Sequence, residues 1–136
     1  MKNLGFGMMR LPVLSGPTDF DYAQLNRMVD AFLDAGYTYF DTSFVYHNGK
    51  SEEATRKALV ERHPRESFTV ATKFPTFLLI PEEKIEETFQ SQLDHLGVDY
   101  IDYYLLHNIK TVYYDGYDGK GGIVKTTHLF DHAKKW

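Results

Sequence analysis

Four strand-like segments recur at intervals of about thirty residues, each ending on a residue suited to line a site, and this spacing constrains the fold more than any other feature. The predicted strands end at Gly7 or Met8, at Asp41, at Lys73 and at His107. Thirty residues is the length of one strand followed by a crossover helix, and four such units in succession predict a parallel α/β sheet. A (β/α)8 barrel takes roughly 250 residues. Four βα units in 136 residues would therefore make half of one. A doubly wound open sheet can be assembled from the same number of units, so the period by itself leaves both architectures open.

The segments between the strands carry helical signals. Asp21 is placed to cap a helix with Leu25, Met28, Val29 and Phe32 on one face, and Gly36 ends it. Ser51 is predicted to cap a second helix whose first turn holds Glu52 and Glu53, where the dipole favours acids. Pro81 precedes a third, with Ile85, Phe89, Leu93 and Leu96 at helical spacing and Gly97 at its end. Residues 100–106 are almost continuously apolar, as in a strand covered on both faces. Residues 108–122 are rich in Gly, Asp and Tyr and predict a loop, and Thr126 or Thr127 opens a fourth helix. The whole of 1–136 reads as a single domain.

Composition removes several function classes. Lys plus Arg is 15 against 19 for Asp plus Glu, giving a formal charge of −4, which offers nothing to nucleic acid or to an anionic membrane surface. There is no cysteine, hence no disulfide framework and no thiolate metal site within these residues. No apolar run approaches the roughly 20 residues of a membrane helix. The N-terminal residues lack the pattern of a signal peptide. The expectation is a cytoplasmic protein.

Asp41, Lys73 and His107 each stand at the carboxyl end of a predicted strand, and Tyr46 lies in the loop beyond Asp41. Catalytic groups converge at this rim in barrels, and ligands bind there in open sheets. A polar residue often marks only where a strand leaves the core, but three ionisable groups at three successive ends exceed what folding needs. Together they describe a proton-donating device. An ammonium beside a phenol eases loss of the phenolic proton, a carboxylate can hold that ammonium charged and oriented, and an imidazole can hydrogen-bond a reacting oxygen.

Specific wording surrounds these residues. Residues 36–52, GYTYFDTSFVYHNGKSE, resemble the aldo/keto reductase signature around its catalytic Asp and Tyr. Ala71-Thr72-Lys73 resembles the family's third-strand motif, residues 102–107 (DYYLLH) its fourth, and residues 4–10 (LGFGMMR) its first strand and the start of the cofactor loop. The ordered set, at family spacing over nearly the whole chain, is the strong signal. The resemblance implies a (β/α)8 barrel, here about half of one, that reduces an aldehyde or ketone with NADPH. It implies Tyr46 as general acid, Lys73 and Asp41 as its tuning pair and His107 as the group orienting the carbonyl. It implies Gly7, Met8, Met9 and Asp41 as cofactor-binding residues and His47, Phe74 and Asn108 in the substrate pocket, with no metal. Met8 stands where the family commonly has Thr.

The resemblance also implies parts that lie beyond residue 136. The family's carboxamide ligands come from its fifth and sixth strands, its nicotinamide-stacking aromatic from the seventh, and its adenosine-phosphate loop follows the eighth. Residues 7–12 resemble a branch in which some members carry a C-terminal iron–sulfur extension. Four strands alone leave two open edges and an uncovered inner face, so a truncated half-barrel that self-associates, without activity of its own, is one alternative. A metal-dependent barrel hydrolase using Asp41 and His107 is another. Gly5-x-Gly7 lacks the third glycine of a dinucleotide fingerprint. Residues 115–122 (DGYDGKGG) lack the ligand pattern of a calcium loop and read as a rim loop. His128 and His132 stand at i, i+4, a zinc-compatible spacing, although a solvated helix face is the simpler reading.

Overall fold

A computed structural model describes residues 3–136; Met1 and Lys2, part of the N-terminal reading above, lie outside the described residues. Four strands, β1 (Gly5–Gly7), β2 (Tyr39–Asp41), β3 (Thr69–Phe74) and β4 (Tyr103–Leu106), form one sheet in the order β1-β2-β3-β4. Each pairs in parallel with the next, in registers that place Gly7 beside Asp41, Asp41 beside Ala71, and Lys73 beside Leu105. Between them run α1 (Tyr22–Asp34), α2 (Ser51–Thr55, continued by a wider π-type turn to Val60) and α3 (Ile85–Leu96). Beyond β4 come three short helices, α4 (Thr111–Asp115), α5 (Ile123–Thr126) and α6 (Leu129–Ala133). The four-unit parallel reading holds.

Alternation along the strands explains where the core lies. Successive strand side chains point to opposite faces. Phe6, Phe40, Val70, Thr72, Phe74 and Tyr104 sit on the face that carries the helices, where Phe40 and Val70 are wholly buried with Leu25, Val29 and Leu59. Phe40 is ringed by Phe6, Phe32 and Phe68 at centroid separations of 5.5, 5.2 and 6.5 Å. The other face would line a barrel interior, and here it is open: Tyr103 is 46% and Leu105 41% exposed. The expectation that residues 100–106 are covered on both faces therefore fails. A run of apolar letters does not say whether a second layer is present, and β4 is an edge strand.

The helix ends follow local chemistry. The Asp21 carboxylate accepts from the Gln24 amide at 2.9 Å, capping α1 as expected. Gly97 ends α3 at φ +67°, and a side chain there would meet that of Arg56. Met28, expected on the buried face of α1, is 39% exposed. Ser51 does not cap α2; Lys50 holds the cap position, and Ser51 is the first helical residue. The fourth helix, expected to open at Thr126 or Thr127, opens instead at Leu129 after His128 at φ +50°, and α5 ends at Thr126 where it was to begin. No helix among the described residues is long and apolar enough to cross a membrane.

Candidate active site

The carboxyl ends of β2, β3 and β4 bring three of the expected residues to one rim. The Lys73 ammonium donates to Asp41 Oδ1 and to the Thr42 carbonyl, both at 2.6 Å. Lys73 reaches this position because β3 runs past β2 in register, so its side chain arrives where β2 ends. The Lys73 side chain is 11% and that of Asp41 29% exposed, so the pair is held in partly desolvated surroundings where a charge-assisted bond is strong. The same ammonium lies over the Tyr46 ring, 4.8 Å from its centroid.

His107 closes the group. Its ring stands edge-on to Tyr46 with centroids 5.9 Å apart, and Phe77 flanks it at 5.4 Å. Its Nδ1 is 3.0 Å from Ser43 Oγ. Burial, and then the nearby Lys73 ammonium, push the His107 pKa below its ordinary value against the opposing pull of Asp41. A neutral ring has one N–H: a Ser43 hydroxyl that donates to Nδ1 leaves it on Nε2, and one that accepts from Nδ1–H leaves Nε2 bare. Asp41, Tyr46, Lys73 and His107 thus lie together at one end of the sheet.

The remaining expected residues divide. Gly7 ends β1 beside Asp41, and nothing would stand within 4 Å of a side chain there, so backbone is approachable. Met9 is 55% exposed at the same rim. Met8 is wholly buried in the core, and its carbonyl accepts from Ser51 Oγ at 3.0 Å; any cofactor contact from it would be through backbone. Asn108 follows His107 on the rim, exposed and at φ +57°.

Two pocket expectations are corrected. Phe74 is 2% exposed and lies in a second core cluster with Ile85, Val124 and Leu129, stacked on Trp136. Lys73 faces the rim, so alternation sends Phe74 to the helix side. His47 uses both ring nitrogens on the chain ahead of α1: Nε2 accepts from the Leu11 amide at 3.0 Å, and Nδ1 is 2.8 Å from the Pro17 carbonyl. It staples that loop to the β2–α2 turn and packs on Phe20 at 5.0 Å. The left-handed backbone at His47 and Asn48, φ +51° and +55°, turns the ring there. His128 and His132 each face acids of the third-helix region, Glu82 and Glu86, and among the described residues no three His, Cys, Asp or Glu converge to hold a metal ion.

The sequence reading passed over four polar residues close to this group. Ser43 and Thr42 are wholly buried. Thr42 Oγ1 donates to Ser51 Oγ at 2.9 Å, tying β2's exit to α2. Glu52, read only as an acid favoured by the helix dipole, is wholly buried, as is Gln92. Burial pushes the Glu52 carboxyl above its ordinary range, opposed by hydrogen bonds from Gln92, Thr72 and His95. The one available signal was the density of small hydroxyl residues directly after Asp41.

A run of parallel βα units with an ammonium, a carboxylate, a phenol and an imidazole gathered at the carboxyl rim defines a class, the α/β barrel with its site at the strand ends, present here in part. Within that class the chain belongs to the Aldo/keto reductase family, whose profile matches residues 3–135. It is 33% identical over 120 residues to an aldo-keto reductase of Mycobacterium sp. (strain MCS), covering 85% of this chain and 40% of the relative. It superposes on an aldo/keto reductase of Brucella melitensis with a TM-score of 0.62 at 25% identity, covering 96% of this chain and 44% of that one. An aldo/keto reductase of Klebsiella pneumoniae, solved with NADP and acetate, shares the fold at a TM-score of 0.66 and 20% identity, over 95% of this chain and 41% of its own. The chain thus spans about 40% of the length of the Mycobacterium relative.

Proposed function

We propose that these residues form the proton-donating part of an NADPH-dependent carbonyl reductase that converts an aldehyde or ketone to an alcohol. The observation that carries the reading is the Lys73 ammonium, bound to Asp41 at 2.6 Å while lying over the Tyr46 ring. When bound, NADPH supplies the hydride. In this reading Tyr46 would pass its phenolic proton to the carbonyl oxygen, its own O–H bond breaking as the O–H bond of the alcohol forms. The Lys73 charge offsets the negative charge left on the phenol. Asp41 keeps that ammonium in place. His107, neutral at physiological pH because burial and Lys73 oppose its protonation, orients the carbonyl by a hydrogen bond.

The rim fits such a cofactor. Gly7 offers approachable backbone at the end of β1, Met9 stands exposed beside it, and Asp41 keeps a second carboxylate oxygen for a sugar hydroxyl. In this reading Asn108, exposed next to His107, contacts substrate.

Tyr46→Phe, introduced in the full-length natural polypeptide that carries these residues, tests the reading. Loss of a general acid is expected to lower aldehyde turnover by about 100-fold or more, with NADPH affinity, read by fluorescence titration, within about twofold of the parent. Unchanged turnover would remove Tyr46 from this role.

A further inference from the structure

Behind β3, on the face turned away from the rim, lies a second polar cluster that the proton-donating group does not use. Glu52 on α2, Thr72 on β3 and Gln92 on α3 are all wholly buried. Glu52 Oε1 accepts from Thr72 Oγ1 at 2.6 Å and from Gln92 Nε2 at 2.7 Å. Its Oε2 lies 3.1 Å from His95 Nδ1, and His95 is one-third exposed, the network's contact with solvent. Gln92 Oε1 accepts from the Tyr104 hydroxyl on β4. Gln92 Nε2 also reaches Thr72 Oγ1 at 3.3 Å and the Lys73 carbonyl at 3.2 Å.

That last contact joins the cluster to the rim. The residue whose ammonium holds Asp41 in front has its carbonyl held from behind. Polar groups buried between a helix layer and a sheet carry a desolvation cost that apolar packing would not. Their directional bonds in return fix one register where apolar surfaces tolerate sliding. Here all the polar groups are satisfied, and three elements besides β3 contribute to the grip.

We propose that Gln92 is a positioning residue for Lys73, its amide clamped by Glu52 and Tyr104 so that the Lys73 backbone has one orientation; this rests on the reading of Lys73 as the partner of Tyr46.

Gln92→Met keeps length and bulk and removes the amide. In the full-length polypeptide, kcat for aldehyde reduction is expected to fall about tenfold. KM for the carbonyl and the NADPH dissociation constant should stay within about twofold. The Lys73 ¹³Cε resonance, assigned by its absence in Lys73→Met, should move. Glu52→Gln by itself should keep near-parental values, because its amide oxygen can still face Thr72 and Gln92 while its NH₂ turns to His95, which accepts by changing tautomer. A folded Gln92→Met with an unmoved Lys73 resonance and parental kcat would overturn the proposal. Should Gln92→Met fail to fold, Tyr104→Phe removes only the hydroxyl on the Gln92 oxygen; a Lys73 resonance that moves supports the clamp, and a static one overturns it. The NMR readout needs no turnover, so it still judges Gln92 if Tyr46→Phe has already sunk the reductase reading.

Discussion

Replacing Ser43 with Ala isolates one hydrogen bond in the proposed reaction. Ser43 is wholly buried, and its hydroxyl lies 3.0 Å from His107 Nδ1. The proposed reaction needs Ser43 to donate to Nδ1, which leaves the ring proton on Nε2, the nitrogen with no protein partner among the described residues and the one that would meet a carbonyl oxygen. His107 is neutral near pH 7, since burial and Lys73 hold its pKa down, so the tautomer rather than the charge decides whether it can donate. A net hydrogen bond contributes about 1 kcal/mol, which corresponds to about a fivefold bias between tautomers at room temperature. Ser43→Ala is therefore expected to lower the Nε2–H to Nδ1–H ratio about fivefold, which takes the Nε2–H fraction from about five-sixths to about one-half and kcat/KM for the carbonyl down about twofold, to leave NADPH binding unchanged, and to cost about 1 kcal/mol of stability. The ¹⁵N shifts of the two His107 ring nitrogens report the tautomer directly. An unaltered tautomer ratio combined with an unaltered kcat/KM would refute the reasoning, since Ser43 would then be only a filler of space.

Three further outcomes follow from the same geometry. Lys73→Met leaves the Asp41 carboxylate, 29% exposed, without its ammonium. It should destabilise the fold by about 1–3 kcal/mol in urea titration, and a loss below about 0.5 kcal/mol would show the two groups to be energetically independent. His107 has a folded pKa below its unfolded value, so its neutral form is favoured by folding. Its share of stability is present above the unfolded pKa, about 6.5, and is lost as pH falls from there towards the folded pKa. The drop in stability between pH 7.5 and 5.5 should accordingly be smaller in His107→Gln than in the parent, and equal drops would contradict the sign. His47→Ala removes two hydrogen bonds to the loop ahead of α1 and should cost about 1–2 kcal/mol. Amide exchange at Leu11 should quicken, and unchanged protection there would mean that other contacts hold the loop.

Three of the four strand ends were legible because Asp41, Lys73 and His107 stand where a short strand-like run stops at an ionisable residue, a local pattern. The pairing of Asp41 with Lys73 followed from parallel order alone, since two strands in register bring their ends together. The failures share a cause of another kind. The family resemblance put Phe74 in the pocket, but a strand sends neighbours to opposite faces, and with Lys73 at the rim Phe74 belongs to the helix layer. His47 was read by its position next to Tyr46, whereas a left-handed turn at residues 47 and 48 carries its ring to a different loop. Glu52 shows the limit most clearly: an acid in the first turn of a helix suggests solvent, and only the approach of α3 places Gln92 and His95 around it. Contacts between residues 40 positions apart leave no local trace in the letters.

Alternation also shows how this site is held. β2 buries Phe40 among three aromatic rings and then presents Asp41 to the rim. β3 sends Thr72 into the polar cluster and then presents Lys73. Behind the carboxylate the strand is packed by apolar rings, with its exit tied to α2 through Thr42, whereas behind the ammonium it is held by directed hydrogen bonds. Close packing resists loss of volume but tolerates small adjustments of angle. A hydrogen-bond network fixes angle, and it gives way when one donor is missing. Truncating Phe40 would chiefly remove buried area, which is a stability effect, whereas altering Gln92 would chiefly change where Lys73 points. A long ammonium-bearing side chain that must meet Asp41 and Tyr46 at once has more angles to fix than a short carboxylate, and it is the lysine strand that carries the directional anchor.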